Sequence, residues 1–385
     1  MHIVLAALLA FGILTLWIPA AWPVSVFELG VFALTLWAVY RIRRQPPIVA
    51  YPLVPLTLAI LIGLFQLLTH RTVYAFDTTQ STVQWLTFLC VFLVVTAAVR
   101  DEVALFQMQE AMLWFGSTIA LLATLQIFTG GGKIYWLFSV AYSETAMGPI
   151  LYYNHYAAFI ELLLPLSLYR ALCSSVRRYL YAAMTAVLYA SVIASTSRAG
   201  TVLATVGILS VAALAWRCRL VPARHASLVL GRIAAMLVLF TLIVGWGTVW
   251  HRLQQPDPMN LRREMDTASI HMIGEHPWTG VGQGAWPTAY PSYAVIDAGA
   301  DANQAHCDWL QWAAEGGIPF GISMVILFAW SLRQGIRTIW GLGIVSVFLH
   351  AIVDYPFSRP ALGSWFILML ALLAVSQFRT SRQQS

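Results

Sequence analysis

The chain has 385 residues, 59% hydrophobic and only 10% charged, with a mean hydropathy of +0.73. Soluble domains carry about 25% charged residues, so the composition excludes a free-standing soluble domain and points to solvation mainly by lipid. The net charge of +6 comes from arginines scattered over short connections, with Lys133 the one lysine, which excludes the concentrated basic face of a nucleic-acid binder.

A spanning helix needs about 20 mostly apolar residues. Runs of that kind predict about twelve helices, over residues 3–21, 24–40, 48–69, 82–99, 111–129, 154–172, 179–196, 199–216, 229–249, 311–332, 338–353 and 361–377. The first run ends in small residues like a signal peptide. It lacks a basic start and further spans follow, so an uncleaved first helix is expected. Four cysteines, Cys90, Cys173, Cys218 and Cys307, show no paired spacing, and neither a disulfide framework nor a zinc site is expected.

Arginine placement orients the spans. Arg41, Arg43 and Arg44 follow the second, Arg100 the fourth, and Arg170, Arg177 and Arg178 the sixth. Arg217, Arg219, Arg224 and Arg232 flank the connection after the eighth, Arg333 and Arg337 follow the tenth, and Arg379 and Arg382 end the chain. The positive-inside rule names this face cytoplasmic. The opposite face receives Arg71, Lys133, Arg198, Arg252, Arg262, Arg263 and Arg359. The expected fold is all-α and polytopic, a single integral membrane domain over 1–385 with both termini cytoplasmic. One long outer loop, 250–305, is expected to carry short helices, and Trp246, Trp250, Trp278 and Trp286 bracket it like headgroup-level aromatics. A second outer segment spans 130–154.

Several residues invite chemistry. Arg198, in Ser195-Thr196-Ser197-Arg198-Ala199-Gly200, stands at the outer junction of two apolar helices. It reads either as an anion site at a helix N-terminus or as an interfacial arginine reaching lipid phosphate. Arg262 and Arg263 precede Asp266, and in a helix Arg262 and Asp266 form an i,i+4 pair of the kind found on solvated faces. Guanidinium groups also suit pyrophosphate oxygens. His306 is the candidate base, since an imidazole accepts protons near neutral pH; His271 and His276 compete with it. Asp308, Trp312 and Glu315 give the helix after His306 a polar stripe, whose bland reading is a headgroup anchor. Pro277-Trp278-Thr279-Gly280-Val281-Gly282-Gln283-Gly284 reads as a tight loop allowing close backbone approach. Asp354-Tyr355-Pro356-Phe357-Ser358-Arg359 reads as an interfacial turn that brings Arg359 to the outer side.

Taken in order, these features resemble the O-antigen ligase and polymerase superfamily of membrane glycosyltransferases. They are the Ser-Arg-Ala-Gly segment, the arginine-bearing outer loop, His276-Pro277-Trp278-Thr279-Gly280-Val281-Gly282, the Ala-His…Leu-Gln…Glu-x-Gly helix start and the Asp-x-Pro turn. The likeness covers residues 150–360. It implies a glycosyltransferase C-type helical fold in the bacterial inner membrane, with its active site facing the periplasm. It implies transfer of a glycan from an undecaprenyl pyrophosphate carrier to an acceptor sugar, most simply O-antigen ligation to lipid A-core in lipopolysaccharide biosynthesis, with inversion and without metal or cofactor. Arg198, one of Arg262 and Arg263, and His306 match the family's arginines and histidine; Asp308, Glu315, His276 and Arg359 are supporting candidates. The family has asparagine after that histidine where this chain has Cys307, which puts an amide hydrogen bond there in doubt. A polymerase using a second lipid-linked repeat unit is the alternative within the superfamily. From another class, a polyprenyl-glycan flippase or secondary transporter would place charges in midmembrane, where Glu161 is the main candidate.

Overall fold

The computed structural model describes residues 1–41, 48–244, 259–294 and 302–384; Arg43, Arg44, Trp246, Trp250 and Arg252 lie outside them. Among the described residues the architecture is helical. The order is α1 (His2–Leu14), α2 (Trp22–Arg41), α3 (Leu53–Leu68), α4 (Ala75–Ala98), α5 (Glu102–Thr129), α6 (Tyr153–Cys173), α7 (Arg178–Ser195), α8 (Arg198–Arg217) and α9 (Ala223–Val244). Then come α10 (Met259–Glu275), the short α11 (Trp286–Ala289), α12 (Asp308–Thr338), α13 (Gly343–His350) and α14 (Pro360–Gln384).

Each predicted apolar run overlaps one of these helices, although the first, 3–21, outruns α1, which ends at Leu14, and residues 245–249 of the ninth lie outside the described residues. Seven of them, α2, α4, α5, α6, α8, α12 and α14, are long and apolar enough to cross a membrane, while α1, α3 and the stretch Trp340–His350 are apolar but shorter. Two helices start well before their apolar runs. The α5 helix begins at Glu102, where the Asp101 carboxylate caps it by accepting from the Ala104 amide at 2.7 Å. The α4 helix begins at Ala75 and carries Asp77, Gln80, Ser81 and Gln84 on its first three turns. Hydropathy marks only the length that lipid solvates, and a helix continues past it wherever protein supplies the polar partners.

Burial ranks the helices. In α6 and α14, 83% of the apolar window lies inside the protein, against 33% in α2 and α8. A helix apolar all round belongs at the centre, and α6 packs against α5, α7, α8, α13 and α14. One end of the bundle is tied by basic residues. Arg170 donates to Gln109 at 2.5 Å, Arg177 approaches Glu110 at 3.4 Å, Tyr181 donates to Glu110 at 2.7 Å, and Arg379 approaches Glu102 at 2.7 Å.

The opposite end carries a cap with its own small core. Met265, Ala268 and Met272, one helical stripe of α10, pack with Val281, Trp286, Ala289, Tyr290, Ala305 and Ala314. Trp286 corrects a sequence expectation: it is fully buried, donating to Ser269 at 2.9 Å, because a bulky indole makes the cap core. Trp278, by contrast, is 74% exposed.

The glycine loop fastens cap to bundle. Backbone amides of Val281 and Gly282 donate to the Ala314 and Glu315 carbonyls (2.9 and 3.3 Å), and Val73 donates to Val281 (2.9 Å). Gln66 bridges them, donating to the carbonyls of Thr279 (2.5 Å) and Glu315 (2.8 Å) and accepting from the Gln283 amide (2.9 Å). The contact is possible because α12 breaks at Gly317 (φ +79°), freeing the Ile318 amide to donate to Pro277 at 2.8 Å. Gly280 (φ +68°) lies so close to the backbone of Glu315 and Gly316 that a Cβ would collide. Gly131 has a similar φ of +56° but open space around it. A left-handed non-glycine residue costs about 1–3 kcal/mol, so Gly131→Ala should bring only that cost. Gly280→Ala adds a backbone collision and should lower the thermal midpoint in detergent by clearly more; equal shifts would contradict this docking.

Candidate active site

The site is built where four backbone segments meet at the capped end. The first is the start of α6, Tyr152-Tyr153-Asn154-His155. The second is the junction of α7 and α8. Thr196 takes a left-handed conformation (φ 63°), turning the chain so that Ser197 can cap α8 by accepting from the Gly200 amide at 3.1 Å. The Ser197 hydroxyl donates to Asn154 at 2.7 Å, and Asn154 donates to the Tyr152 hydroxyl at 2.9 Å. Gly200 completes the Ser-Arg-Ala-Gly unit by letting α8 approach Ala157 of α6, where a Cβ would clash. Arg198 thus stands exposed on the first turn of α8, at the positive end of the helix.

The third segment is His306, immediately before α12. Its backbone is left-handed (φ 55°), a strained conformation for this residue. The Ala305 amide donates to Gln311 at 3.1 Å and fixes the approach. The fourth is Asp354-Tyr355 between α13 and α14. The Asp308 amide donates to the carbonyls of Ala351 (2.9 Å) and Asp354 (3.1 Å), and the Asp308 carboxylate accepts from the Phe357 amide at 3.1 Å. Asp308 therefore pins the α13–α14 connection against the start of α12. Glu315 is likewise internal, accepting from Gly284 (2.9 Å) and Gln311 (2.8 Å). The polar stripe of α12 is buried structure rather than a headgroup anchor, because its partners are loop amides folded over it.

These segments form an aromatic box. The His306 ring meets Tyr355 edge-on at 4.7 Å and Tyr152 at 6.3 Å; His155 meets Tyr355 at 4.7 Å and Tyr152 at 4.9 Å; Tyr152 and Tyr355 stack at 5.8 Å. Behind the box runs a line of ionisable groups. Nδ1 of His306 lies 3.7 Å from Asp354, a close electrostatic contact rather than a hydrogen bond. Asp354 lies 3.9 Å from Nε2 of His350, whose Nδ1 is hydrogen-bonded to Glu161 at 2.8 Å. Burial pushes the Asp354 carboxyl up, but His306, His155 and His350 around it outweigh that effect and hold it below the usual carboxylate range. Asp354 is thus an anion at neutral pH, facing one edge of an imidazole that is 24% exposed.

Cations flank the box. Arg262, partly buried on the first turn of α10, favours the ionised forms of Tyr152, Asp266 and Tyr355 by its charge, whereas Arg263 is exposed. Burial first, then the Asp354 charge, push both phenols above their ordinary range, so they stay protonated as donors. The charge of Arg359 also acts on Tyr355 and His155. It lines, with Tyr152 and His155, a cavity of about 420 Å³ walled by Trp17, Pro23 and Phe27 of the α1–α2 hairpin. His276 lies exposed after the last turn of α10. It follows Asp266 by ten residues, roughly 15 Å along the helix.

Sequence reasoning picked out His306, Arg198 and the pair Arg262 and Arg263 without choosing between them, but missed Tyr152, Asn154, His155, His350, Asp354 and Tyr355 as a group. One signal was available: His350 and Asp354 are four apart at the end of an apolar run, next to an intramembrane carboxylate that needed a partner. The aromatic box had no such signal, since it joins segments two hundred residues apart.

Fold and site together define a multi-pass membrane protein whose interacting ionisable groups gather at one end of its helices. Residues 182–325 match the family model described as O-Antigen ligase, which supports placement in the O-antigen ligase superfamily and membrane glycosyl transfer of the ligase or polymerase type. Curated proteins yielded no match. The matched segment contains Arg198, Arg262 and His306, while Glu161, Asp354 and Tyr355 fall outside it.

Cys307 occupies the N-cap position of α12 with no side-chain cap bond, and its thiol is pushed up to about 11, by burial first. An asparagine there would accept from the first-turn amides. Cys307→Asn should therefore raise stability by about 0.5–2 kcal/mol, read as a higher thermal midpoint; a lower one would show that the pocket has no room for the amide.

Proposed function

We propose that the protein transfers a glycan from a polyprenyl pyrophosphate carrier to an acceptor sugar at the outer face of the inner membrane, with lipid A-core as the acceptor. The observation that carries this reading is one box in which an imidazole backed by an ionised carboxylate meets the charges of Arg262 and Arg359. His306, oriented by Asp354, takes the proton of the acceptor hydroxyl as that oxygen attacks C1 of the donor sugar. The C1–oxygen bond to pyrophosphate breaks on the opposite face, with inversion, and the electron pair leaves on the pyrophosphate. Arg262 neutralises the charge that builds there, with Arg198, matched through the family resemblance, as the second cation of the scheme; guanidinium groups suit the pyrophosphate oxygens.

The remaining groups take supporting parts. Tyr152 and Tyr355 are protonated donors at the edge of the same box, suited to the leaving phosphate. Arg359 stands at the mouth of the apolar cavity beside α1 and α2, where a polyprenyl chain would lie with its phosphates toward the arginine. Asp308 and Glu315 hold the loops that frame the site. His276 has no part in this scheme. Glu161 is matched by His350, which favours a fixed structural pair over a charge on a transport path.

The test is transfer by purified protein from a defined lipid-linked glycan to either lipid A-core or a second lipid-linked repeat unit. Product on lipid A-core supports ligation; product on the repeat unit alone moves the assignment to polymerase. His306→Ala should reduce turnover about 10²–10⁴-fold, the usual contribution of a positioned base. Arg262→Ala should cost about 10²–10³-fold, while Arg263→Ala should change it less than about fivefold, as exposed charges do. Equal losses at the two arginines would exclude Arg262 as the phosphate ligand, and loss of all transfer on adding a chelator would exclude the metal-free scheme.

A further inference from the structure

A second cavity, of about 220 Å³, opens between the outer turns of α2, α4 and α12 and meets the first at Val24 and Pro360. Its lining is polar: Glu28 of α2, Asp77, Gln80 and Gln84 of α4, and Gln311 and Glu315 of α12, against the rings of Trp85 and Trp312. Among the lining residues there are carboxylates and amides but no arginine or lysine.

Glu28 is the anomaly. It sits about 9 Å into an apolar helix, is 8% exposed, and has no hydrogen bond or ion pair with the described residues. A carboxylate in such a place is costly unless something satisfies it. Its neighbours are already committed in part. Gln84 donates to the Phe357 carbonyl at 2.9 Å, Asp77 accepts from Thr288 at 2.7 Å, and Glu315 spends both oxygens on Gly284 and Gln311. Glu28 faces the cavity with its accepting capacity unspent. Among the described residues no group of His, Cys, Asp and Glu is arranged to hold a metal ion, and a hydroxyl entering the cavity would give Glu28 a hydrogen-bond partner.

We propose that this cavity is a subsite for one uncharged, hydroxyl-rich sugar ring, with Glu28 accepting hydrogen bonds from its hydroxyls. The ligand class rests on the glycosyl-transfer reading; the polarity and the unmatched carboxylate do not. Carboxylates only accept and amides both donate and accept, so this lining meets hydroxyls in either role. A volume below the roughly 300–1,000 Å³ of drug-sized sites suits a single ring. The surrounding carboxylates disfavour an acidic sugar. The ring belongs either to the acceptor glycan or to the donor glycan, both of which present the same hydroxyl chemistry.

The full-length protein in lipid nanodiscs, probed by saturation-transfer NMR with glucose, galactose, N-acetylglucosamine and glucuronate, tests this. Neutral sugars should receive saturation and glucuronate should not. Glu28→Gln, which keeps the shape, should weaken the neutral-sugar affinity about tenfold, the worth of one hydrogen bond, with the thermal midpoint maintained. Glu28→Leu should abolish it. Undiminished saturation in both variants, glucuronate binding as well as glucose, or no saturation of any neutral sugar by the unaltered protein overturns the proposal. Transfer assays with one substrate limiting then identify the ring's source: a raised KM for acceptor alone assigns it to the acceptor, a raised KM for donor alone to the donor glycan. Sugar binding by a protein that transfers nothing would overturn the glycosyl-transfer reading and leave the subsite standing.

Discussion

A carboxylate inside an apolar bundle must be matched, and the match between Glu161 and His350 at 2.8 Å organises the rest of this protein. Both side chains are wholly buried. Leaving one of them alone would cost about 3–5 kcal/mol, enough to move the helices that carry them. The pair locks α13 onto α6, the two elements whose outer ends deliver Asp354-Tyr355 and Tyr152-His155. Asp354 then lies one turn beyond His350, and its charge faces the ring of His306. The pair is therefore the footing of the site, although both of its side chains are wholly buried.

Two kinds of interaction divide the work around this footing. Apolar packing sets which helices are central. Amide and carboxylate contacts set where the polar end of the molecule folds back on itself: Gln66 holds backbone groups of both the glycine loop and α12, Glu315 holds the glycine loop, and Asp308 holds the α13–α14 connection. Such contacts are expensive to leave half made in a dry interior. The cap is held by a few demanding bonds, the bundle by many undemanding ones.

Much of the helical layout was legible in the sequence because lipid imposes one requirement, a run of apolar residues, and every predicted run overlaps a helix. The starts of α4 and α5 were not legible, since Asp77 and Glu102 extend helices past the length that lipid solvates. Trp286 misled for the opposite reason: a tryptophan near an interface and a tryptophan in a small soluble core look the same in one dimension. Around the site, Arg198 and His306 stood out as polar groups at helix starts. Choosing Arg262 over Arg263 required the phase of α10 against α12, which the alternation of Met265, Ala268 and Met272 contains only once the partner surface is known. Glu28 was invisible, since a single glutamate in an apolar run does not say which way it faces.

The break in α12 at Gly317 also has a consequence for how the reacting groups are shared out. Cap and bundle are separately packed bodies, stitched along the glycine loop that seats in that break. Arg262 arrives on the cap, Asp354, Tyr355 and Arg359 arrive from the bundle, and His306 sits on the seam between them. Groups from both bodies therefore face one seam, and the distances among them are gauged by the stitching, not by any one helix.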